Sequence, residues 1–313
     1  MWINTIYDLT PVDFRAGMYF KRDDKFAPKG YGHINGSKLR QCLWLVDKWR
    51  KEKNIRGVVS GSVSQSPQHA FISEICKHYG IGCVIAYSKK DIDKSPYLKL
   101  AKENGAKLVY SKVGYAKTLG AISKKLLDVL PNHEFLETNI TLEHSCNTWE
   151  DIEAFHYVGA EQVKNIPKEA KRIVIPCGSC NSVTSILYGL VLYPQPNIEE
   201  VILMGIGNHG SKNIGYIEHR LKNICKWKGI NIDNKFDFKY KNDTTKEIRM
   251  KHYNLNGSGF CTYMDTMDEQ IEDIVFHPRY EGKAIRYMRA NLMNLWNKET
   301  VFWIVGSDMK LYD

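Results

Sequence analysis

From about residue 38 onward, the apolar positions of this chain switch between two spacings. Leu39 to Lys53 places Leu43, Val46 and Trp49 on one face at helical intervals, and Gly57 to Ser60 follows as a short strand. Pro67 to Tyr79 reads as a helix stopped by Gly80, and Cys83 to Tyr87 as the next strand. The unit repeats with a helix over Ser95 to Asn104, a strand over Lys107 to Tyr110 and a helix over Tyr115 to Leu130 that Pro131 ends. Arg172 to Pro176 then reads as a buried strand, Ser182 to Leu192 as a helix and Val201 to Gly205 as a strand. Strands alternating with helices at this spacing predict parallel βαβ units, hence an α/β chain with doubly wound sheets. Internal repeats and low-complexity tracts are absent. The loops after Ser60 and after Pro176 each follow a strand end and precede a helix, which is where open α/β sheets bind ligands.

Composition narrows the class. With 313 residues, 43% of them apolar, the chain can bury a core of its own and divide into two lobes. No apolar stretch approaches the roughly 18 residues needed to cross a bilayer, and the longest, Val183 to Tyr193, contains Thr184 and Ser185. The first residues lack a basic segment followed by an apolar one, so no export signal is read and a cytoplasmic location is expected. Eight scattered cysteines are then expected to be reduced thiols. Only Cys177 and Cys180 have the spacing of metal ligands, and no second pair accompanies them, so no metal site is expected. The net charge of +9 and the pI near 9.0 favour an anionic partner. The excess concentrates between Lys212 and Lys251, where roughly eleven Lys/Arg face five acids among Trp227, Phe236, Phe238, Tyr240 and Tyr253. That stretch reads either as a solvated lysine-rich face or as a nucleic-acid contact.

Four segments carry candidate chemistry. Lys38 stands where the glycine-rich turn Gly30-Tyr31-Gly32-His33-Ile34-Asn35-Gly36-Ser37 enters a helix. The positive end of a helix disfavours an ammonium, so this lysine is either merely solvated or tuned toward the neutral amine that condenses with an aldehyde cofactor. The second segment, Ser60-Gly61-Ser62-Val63-Ser64-Gln65-Ser66-Pro67-Gln68, offers hydroxyls and free amides to a carboxylate or phenolate. It reads equally as a cap, with Ser66 at the N-cap and Pro67 at N1. In the third, Pro176-Cys177-Gly178-Ser179-Cys180-Asn181-Ser182, short side chains before a helix suit a single phosphate, or form a plain turn. The pattern is not that of a nucleoside triphosphate loop. The fourth is Phe276-His277-Pro278-Arg279-Tyr280-Glu281-Gly282-Lys283, followed by Val301 to Ser307. Glu281 is there either a surface carboxylate paired with Lys283 or Arg279, or a buried acid set against a ring nitrogen.

Taken together, in this order and at these separations, the segments resemble the fold type II (tryptophan synthase β-like) pyridoxal-phosphate (PLP) enzymes. The branch resembled most is that of 1-aminocyclopropane-1-carboxylate deaminase and D-cysteine desulfhydrase. Lys21-Arg22-Asp23-Asp24 with Asn35-Gly36-Ser37-Lys38-Leu39-Arg40 looks like its K-R-[ED]-D and G-G-N-K-x-R-K. Gln65-Ser66-Pro67-Gln68 looks like its Q-S-N-[QH], residues 176–182 like its phosphate cup, and Tyr280-Glu281-Gly282-Lys283 like its Y-E-G-K. The resemblance implies Lys38 as the Schiff-base lysine, Ser66 and Tyr280 as its catalytic companions and Glu281 at the pyridine nitrogen. It implies a phosphate held by Gly178, Ser179, Cys180, Asn181 and Ser182. It also implies a homodimer, with a small lobe at 55–150 inserted into a large lobe formed by 1–54 and 151–313.

The departures bear on the substrate. Pro67 replaces the loop asparagine that contacts the cofactor's phenolic oxygen, leaving Gln68 as the substitute, and Gln41 replaces a lysine. Cys180 and Asn181 stand in the cup where Gly, Ser or Thr is common, and residues 212–259 do not resemble the branch. Three readings follow. The first is a PLP-dependent lyase or deaminase acting at the α-carbon of a small amino acid. The second is a PLP enzyme that modifies, for example by decarboxylation, an amino acid attached to a nucleic acid held by residues 212–251. The third is a non-catalytic scaffold that keeps the fold.

Overall fold

The computed structural model describes residues 5–28, 34–88, 92–112, 116–137, 148–206, 212–241 and 243–306. In chain order the elements are β1 (Val12–Arg15), β2 (Met18–Arg22), α1 (Ser37–Lys53), β3 (Gly57–Gly61), α2 (Gln68–Tyr79), β4 (Gly82–Tyr87), α3 (Pro96–Glu103), β5 (Lys107–Tyr110), α4 (Ala116–Leu127) and β6 (His133–Glu137). They continue with α5 (Trp149–Ala160), β7 (Arg172–Cys177), α6 (Asn181–Leu192), β8 (Glu200–Gly205), α7 (Lys212–Trp227), β9 (Phe236–Asp237), β10 (Ile248–Asn254), β11 (Gln270–Ile271), β12 (Ile274–Val275), α8 (Glu281–Asn291) and β13 (Thr300–Ile304). The chain divides into two compact units, one of residues 1–27, 35–37 and 156–313, the other of residues 28–34 and 38–155.

The smaller unit is built on a four-stranded sheet in the order β5-β4-β3-β6, parallel throughout. Every residue of β3 is buried, which is why Gly57-Val58-Val59-Ser60 lacks a polar alternation. Helix α2 ends at Gly80, whose left-handed φ of 65° lets its N–H reach the carbonyls of Cys76 and Lys77. The unit also takes in α1 from Lys38 on, whereas the expected small lobe began at residue 55. The reason is side-chain chemistry along the helix. Trp49 Nε1 donates to Asp151 Oδ1 at 2.8 Å, Lys53 pairs with Glu134 of β6 at 3.2 Å, and the Arg50 guanidinium lies 4.6 Å from the Tyr79 ring centroid.

The larger unit carries a seven-stranded sheet in the order β1-β2-β13-β7-β8-β10-β9. The β1–β2 pair is antiparallel and all the other pairs are parallel. The last strand of the chain therefore lies between the second and the seventh. Sequence periodicity had no means of ordering strands so far apart. All five residues of β13 are buried, and Phe302 meets Phe20 and Phe276 with ring centroids 6.0 Å apart in both cases. Lys21 is wholly buried; its Nζ donates to the Thr10 carbonyl at 2.8 Å and to Asn165 Oδ1 at 2.6 Å. A buried ammonium is tolerated only with such partners. A separate two-stranded antiparallel ribbon, β11 with β12, completes the strands among the described residues.

The strands and helices expected between residues 57 and 110 and between 172 and 205 form within a residue or two of their expected bounds. Residue 115, the expected start of the fourth helix, lies outside the described residues. No helix among the described residues is long and apolar enough to cross a membrane.

Two helical glycines give a paired check on this packing. A Cβ at Gly189 would meet the Ala160 carbonyl oxygen at 2.3 Å, whereas at Gly215 nothing lies within 4 Å. G189A is expected to destabilise the protein by about 1–3 kcal/mol through overpacking against backbone. G215A is expected to stabilise it by up to about 1 kcal/mol through helix propensity. Urea unfolding midpoints of the two variants check both signs.

Candidate active site

In the larger unit, β7 ends at Cys177 and α6 begins at Asn181, so residues 178–180 turn the chain between strand and helix. Cys180 occupies the N-cap of α6 with a left-handed φ of 67° and makes no side-chain cap. Among the described residues, the N–H groups of Gly178, Ser179 and Ser182 make no hydrogen bond. Unpaired amides at a helix start carry partial positive charge and constitute an anion site. Beneath the turn, Nη1 of the buried Arg220 on α7 donates to Asn181 Oδ1 at 2.9 Å. Arg220 went unnoticed in the sequence because it sits between the core positions Ile217 and Leu221 of the same helix. The two cup sulfurs lie 3.4 Å apart. The Cys177 thiol bonded to Cys180 is pushed up and that of Cys180 is pulled down, while both remain buried.

Glu281 opens α8 and has no exposed surface, which selects the buried alternative over a surface ion pair. Lys283 is not its partner: its Nζ donates to the carbonyls of Thr262 at 2.7 Å and Tyr263 at 3.1 Å. Glu281 Oε1 accepts from the N–H groups of Val305 at 2.9 Å and Gly306 at 3.4 Å, just past the end of β13. Oε2 is buried and has no partner among the described residues. Burial is the main cause that pushes the Glu281 carboxyl up to about 8, opposed in part by backbone donors such as Val305. The same strand end receives the turn before Lys38. Gly36, with φ +103°, packs so closely that a Cβ there would lie 2.4 Å from the Val305 carbonyl oxygen. The Ser37 N–H donates to that oxygen at 2.8 Å, and the Ser37 and Ser182 hydroxyls lie 2.8 Å apart. The residue immediately preceding Lys38 is thus fastened both to the β13 end and to the start of α6.

Tyr280 is the N-cap residue of α8, and its ring lies over the cup, 3.8 Å from where a Gly178 Cβ would stand. Its hydroxyl is 3.1 Å from that of Tyr263, a neighbour no sequence spacing pointed to.

In the smaller unit Lys38 is the second residue of α1 and is half-buried. Its charge contributes to lowering His69, although burial is the larger cause that takes that imidazole down to about 4. Ser66 does not cap α2; Pro67 holds the N-cap position and no side-chain cap bond forms. Ser66 N–H donates to the Val63 carbonyl at 2.9 Å, and among the described residues its hydroxyl has no partner. Gln68 is wholly buried, with Nε2 donating to Ser60 Oγ at 2.9 Å and to the Leu136 carbonyl at 3.2 Å. Its Oε1 is left without a partner, so the free end of Gln68 accepts rather than donates. Residues 30–33 and Ser307, which belong to two of the site segments, lie outside the described residues, as does Cys146.

The basic stretch belongs to the larger unit. Two of its acids are taken by neighbours, Glu218 by Lys222 at 2.7 Å and Glu247 by Lys235, and Asp237 is buried. An open cleft of about 400 Å³ is lined by Phe236 and Phe238, by four lysines that include Lys239 and Lys241, and by the four acids Glu218, Asp233, Asp237 and Asp243. Trp227, Tyr216 and Tyr240 are exposed. Among the described residues, no group of three or more His, Cys, Asp or Glu side chains is arranged to hold a metal ion.

The raised Glu281 carboxyl links stability to pH. Its folded value, about 8, lies above the 4.5 of an ordinary glutamate, so its stabilising contribution is complete below pH 4.5. That contribution is lost as pH rises through about 8. In cofactor-free protein this loss is expected to reach a few kcal/mol, at about 1.4 kcal/mol per pH unit. Denaturant titrations from pH 4 to 9 are expected to show this slope in the wild type and a flatter one in E281Q.

No family model matches the chain. It is 33% identical, over 98% of its own length and 83% of the other's, to the O-seryl-dTMP PLP-dependent decarboxylase of Salmonella phage ViI. A solved 1-aminocyclopropane-1-carboxylate (ACC) deaminase homologue superposes with a TM-score of 0.71 at 16% identity, covering 97% of this chain and 91% of that one. The O-acetylserine-dependent cystathionine β-synthase of Helicobacter pylori superposes with a TM-score of 0.58 at 11% identity, covering 100% of this chain and 98% of that one. The fold is that of the fold type II enzymes, and the cofactor is PLP. With its parallel sheets and its likeness over nearly the full length to a PLP-dependent decarboxylase, the chain belongs to the fold type II, tryptophan synthase β-like family of PLP-dependent enzymes.

Proposed function

We propose that this enzyme decarboxylates an amino acid carried on a nucleotide, with an O-linked seryl group on a thymidine nucleotide as its substrate. The observation that carries the reading is the 33% identity to a decarboxylase of O-seryl-dTMP across 98% of this chain. A decarboxylase needs a free α-carboxylate, so the serine is joined through its side-chain oxygen rather than as an ester. The carrier of the serine is thus a nucleotide, and a free amino acid is not the substrate.

The residues fit the cofactor on two observations. The unpaired N–H groups of Gly178, Ser179 and Ser182 match a phosphate, and the orphaned Oε2 of Glu281 matches a ring nitrogen that carries a proton. Bound PLP supplies a protonated pyridine ring that draws off the electron pair of a bond broken at the substrate α-carbon. Cys180 and Asn181 shape the cup around its phosphate, with Arg220 holding Asn181 in place. Glu281 holds the proton at the ring nitrogen. Lys38 would hold the cofactor aldehyde through its amine and would supply the proton that the α-carbon takes up in place of the lost carboxyl group. Ser66 and the start of α2 orient the departing carboxylate, and Gln68 braces that loop through Ser60 and Leu136. Tyr280 lies over the cup, with Tyr263 holding its hydroxyl. The nucleotide places the substrate inside the cell, in keeping with a cytoplasmic location, and the homodimer implied by the resemblance is retained as part of the proposal.

Purified protein is expected to carry a visible absorbance band that K38A lacks. Borohydride treatment followed by peptide mapping is expected to label Lys38. Carbon dioxide release from an O-linked seryl thymidine nucleotide is expected to fall by about 10²–10⁴-fold in K38A. A colourless wild type that cannot be reconstituted, or one that releases no carbon dioxide from this substrate, sinks the reading.

The exposed rings of Tyr216, Trp227 and Tyr240 and the Lys/Arg excess of residues 212–251 support a nucleic-acid strand as the carrier of that nucleotide. Binding to an oligonucleotide is expected to weaken with salt, and K239E/K241E is expected to lower the log–log salt slope by about 1 for each phosphate that a lysine no longer neutralises. Fluorescence anisotropy across a salt series checks it, and binding that ignores ionic strength rules the strand out.

A further inference from the structure

The first turn of α2 lacks one hydrogen-bond donor at the place where a helix start would grip an anion. Pro67 occupies its N-cap with φ −59° and ψ −20°, a helical conformation, and proline has no N–H. What remains is the Ser66 hydroxyl, in a side chain buried to more than nine-tenths and without a partner among the described residues, and the unpaired N–H groups of Gln68 and Ala70. Two buried acceptors stand in the same turn. Gln68 Oε1 has no partner, and neither has His69 Nδ1. His69 Nε2 lies 3.0 Å from the Val63 carbonyl, so Nε2 carries the hydrogen and Nδ1 presents a bare lone pair.

We infer that Pro67 selects which bond breaks at the substrate α-carbon, by withholding from the substrate carboxylate an N–H that any other residue would supply. The inference rests on the proposed decarboxylation and adds to it the residue that sets the outcome. A donor aimed at a carboxylate stabilises that anion most before reaction. In the transition state its charge has begun to move onto the α-carbon, so each such donor raises the barrier to losing carbon dioxide. In the step itself the bond from the α-carbon to the carboxyl carbon breaks and its electron pair stays with the α-carbon. Carbon dioxide departs, and a proton from Lys38 takes the vacated position. With a fuller set of donors the carboxylate is retained, and the α-proton becomes the group that is given up.

The test uses the PLP-loaded protein with L-serine and 2-aminoethanol as probes, which differ only in the carboxylate. In P67A, calorimetric titration is expected to show the preference for serine over 2-aminoethanol rising by about tenfold or more, the worth of one added hydrogen bond to a charged group. Carbon dioxide release from the O-linked seryl nucleotide is expected to fall in the same variant, while exchange of the α-proton in deuterated water rises. P67S restores the same N–H with a different side chain and is expected to behave alike. If both variants load cofactor and fold as the wild type does, yet keep its ratio of affinities, the inference is overturned. Wild-type protein that releases no carbon dioxide strikes the proposed function instead, and the ratio of affinities still reads the donor count at α2.

Discussion

A carboxyl group enclosed without exposed surface, and satisfied at only one of its two oxygens, is the constraint around which the larger unit is arranged. Leaving a buried oxygen unpaired costs on the order of 1–3 kcal/mol, more if it is charged, so Glu281 is retained against the interest of stability alone. In the proposed function the orphaned Oε2 would find its partner in a protonated ring nitrogen. The paired oxygen is held by the backbone at Val305 and Gly306, the segment against which Gly36 and Ser37 also pack. One strand end thus anchors both the acid and the residue that precedes Lys38. Their positions are set by backbone, which cannot change rotamer, rather than by flexible side chains.

The cup shows a comparable division of labour. Its free N–H groups come from the geometry of a strand-to-helix turn, for which the side chains of residues 178–182 need only be small. Arg220 adds a buried positive charge beneath the turn through Asn181. Cys180 takes the left-handed conformation that glycine adopts most easily, and its sulfur rests on that of Cys177. The cup therefore keeps its N–H geometry while departing from the common Gly, Ser or Thr pattern. This is consistent with binding through main-chain amides, where the side chains serve mainly to close the turn.

On the smaller unit the substitutions act together. Pro67 removes a side-chain amide and a main-chain N–H at one stroke, and Gln68 does not restore them, since its own amide hydrogens serve Ser60 and Leu136. The loop is left with the Ser66 hydroxyl, the N–H groups of Gln68 and Ala70, and two buried acceptors, one donor fewer than a residue other than proline at position 67 would give. A site that must release its carboxyl group gains from such poverty, and one that must keep it does not. The basic surface of residues 212–251 bears on the other end of the substrate. The stretch stays net positive because its eleven Lys/Arg outnumber its five acids, and in the proposed function that excess faces whatever carries the nucleotide.

Much of this was legible in the sequence by itself. Alternating strand and helix spacings fixed the α/β class, because burial on both faces of a parallel strand writes a continuous apolar run that needs no tertiary information to recognise. Lys38 at a helix start, the small-residue loop at 176–182 and the Tyr280-Glu281-Gly282-Lys283 run were visible as local segments, each open to a plain structural reading as well as a functional one. Other features depended on contacts between residues far apart in the chain. The placing of β13 between β2 and β7, the grouping of α1 with the smaller sheet through Trp49 and Asp151, and the buried Arg220 under the cup are not encoded in any local spacing. The choice between a surface and an enclosed Glu281 was likewise open until Val305 and Gly306 were brought to it. Short-range periodicity reports which side of an element is apolar, whereas only the folded chain decides what that side meets.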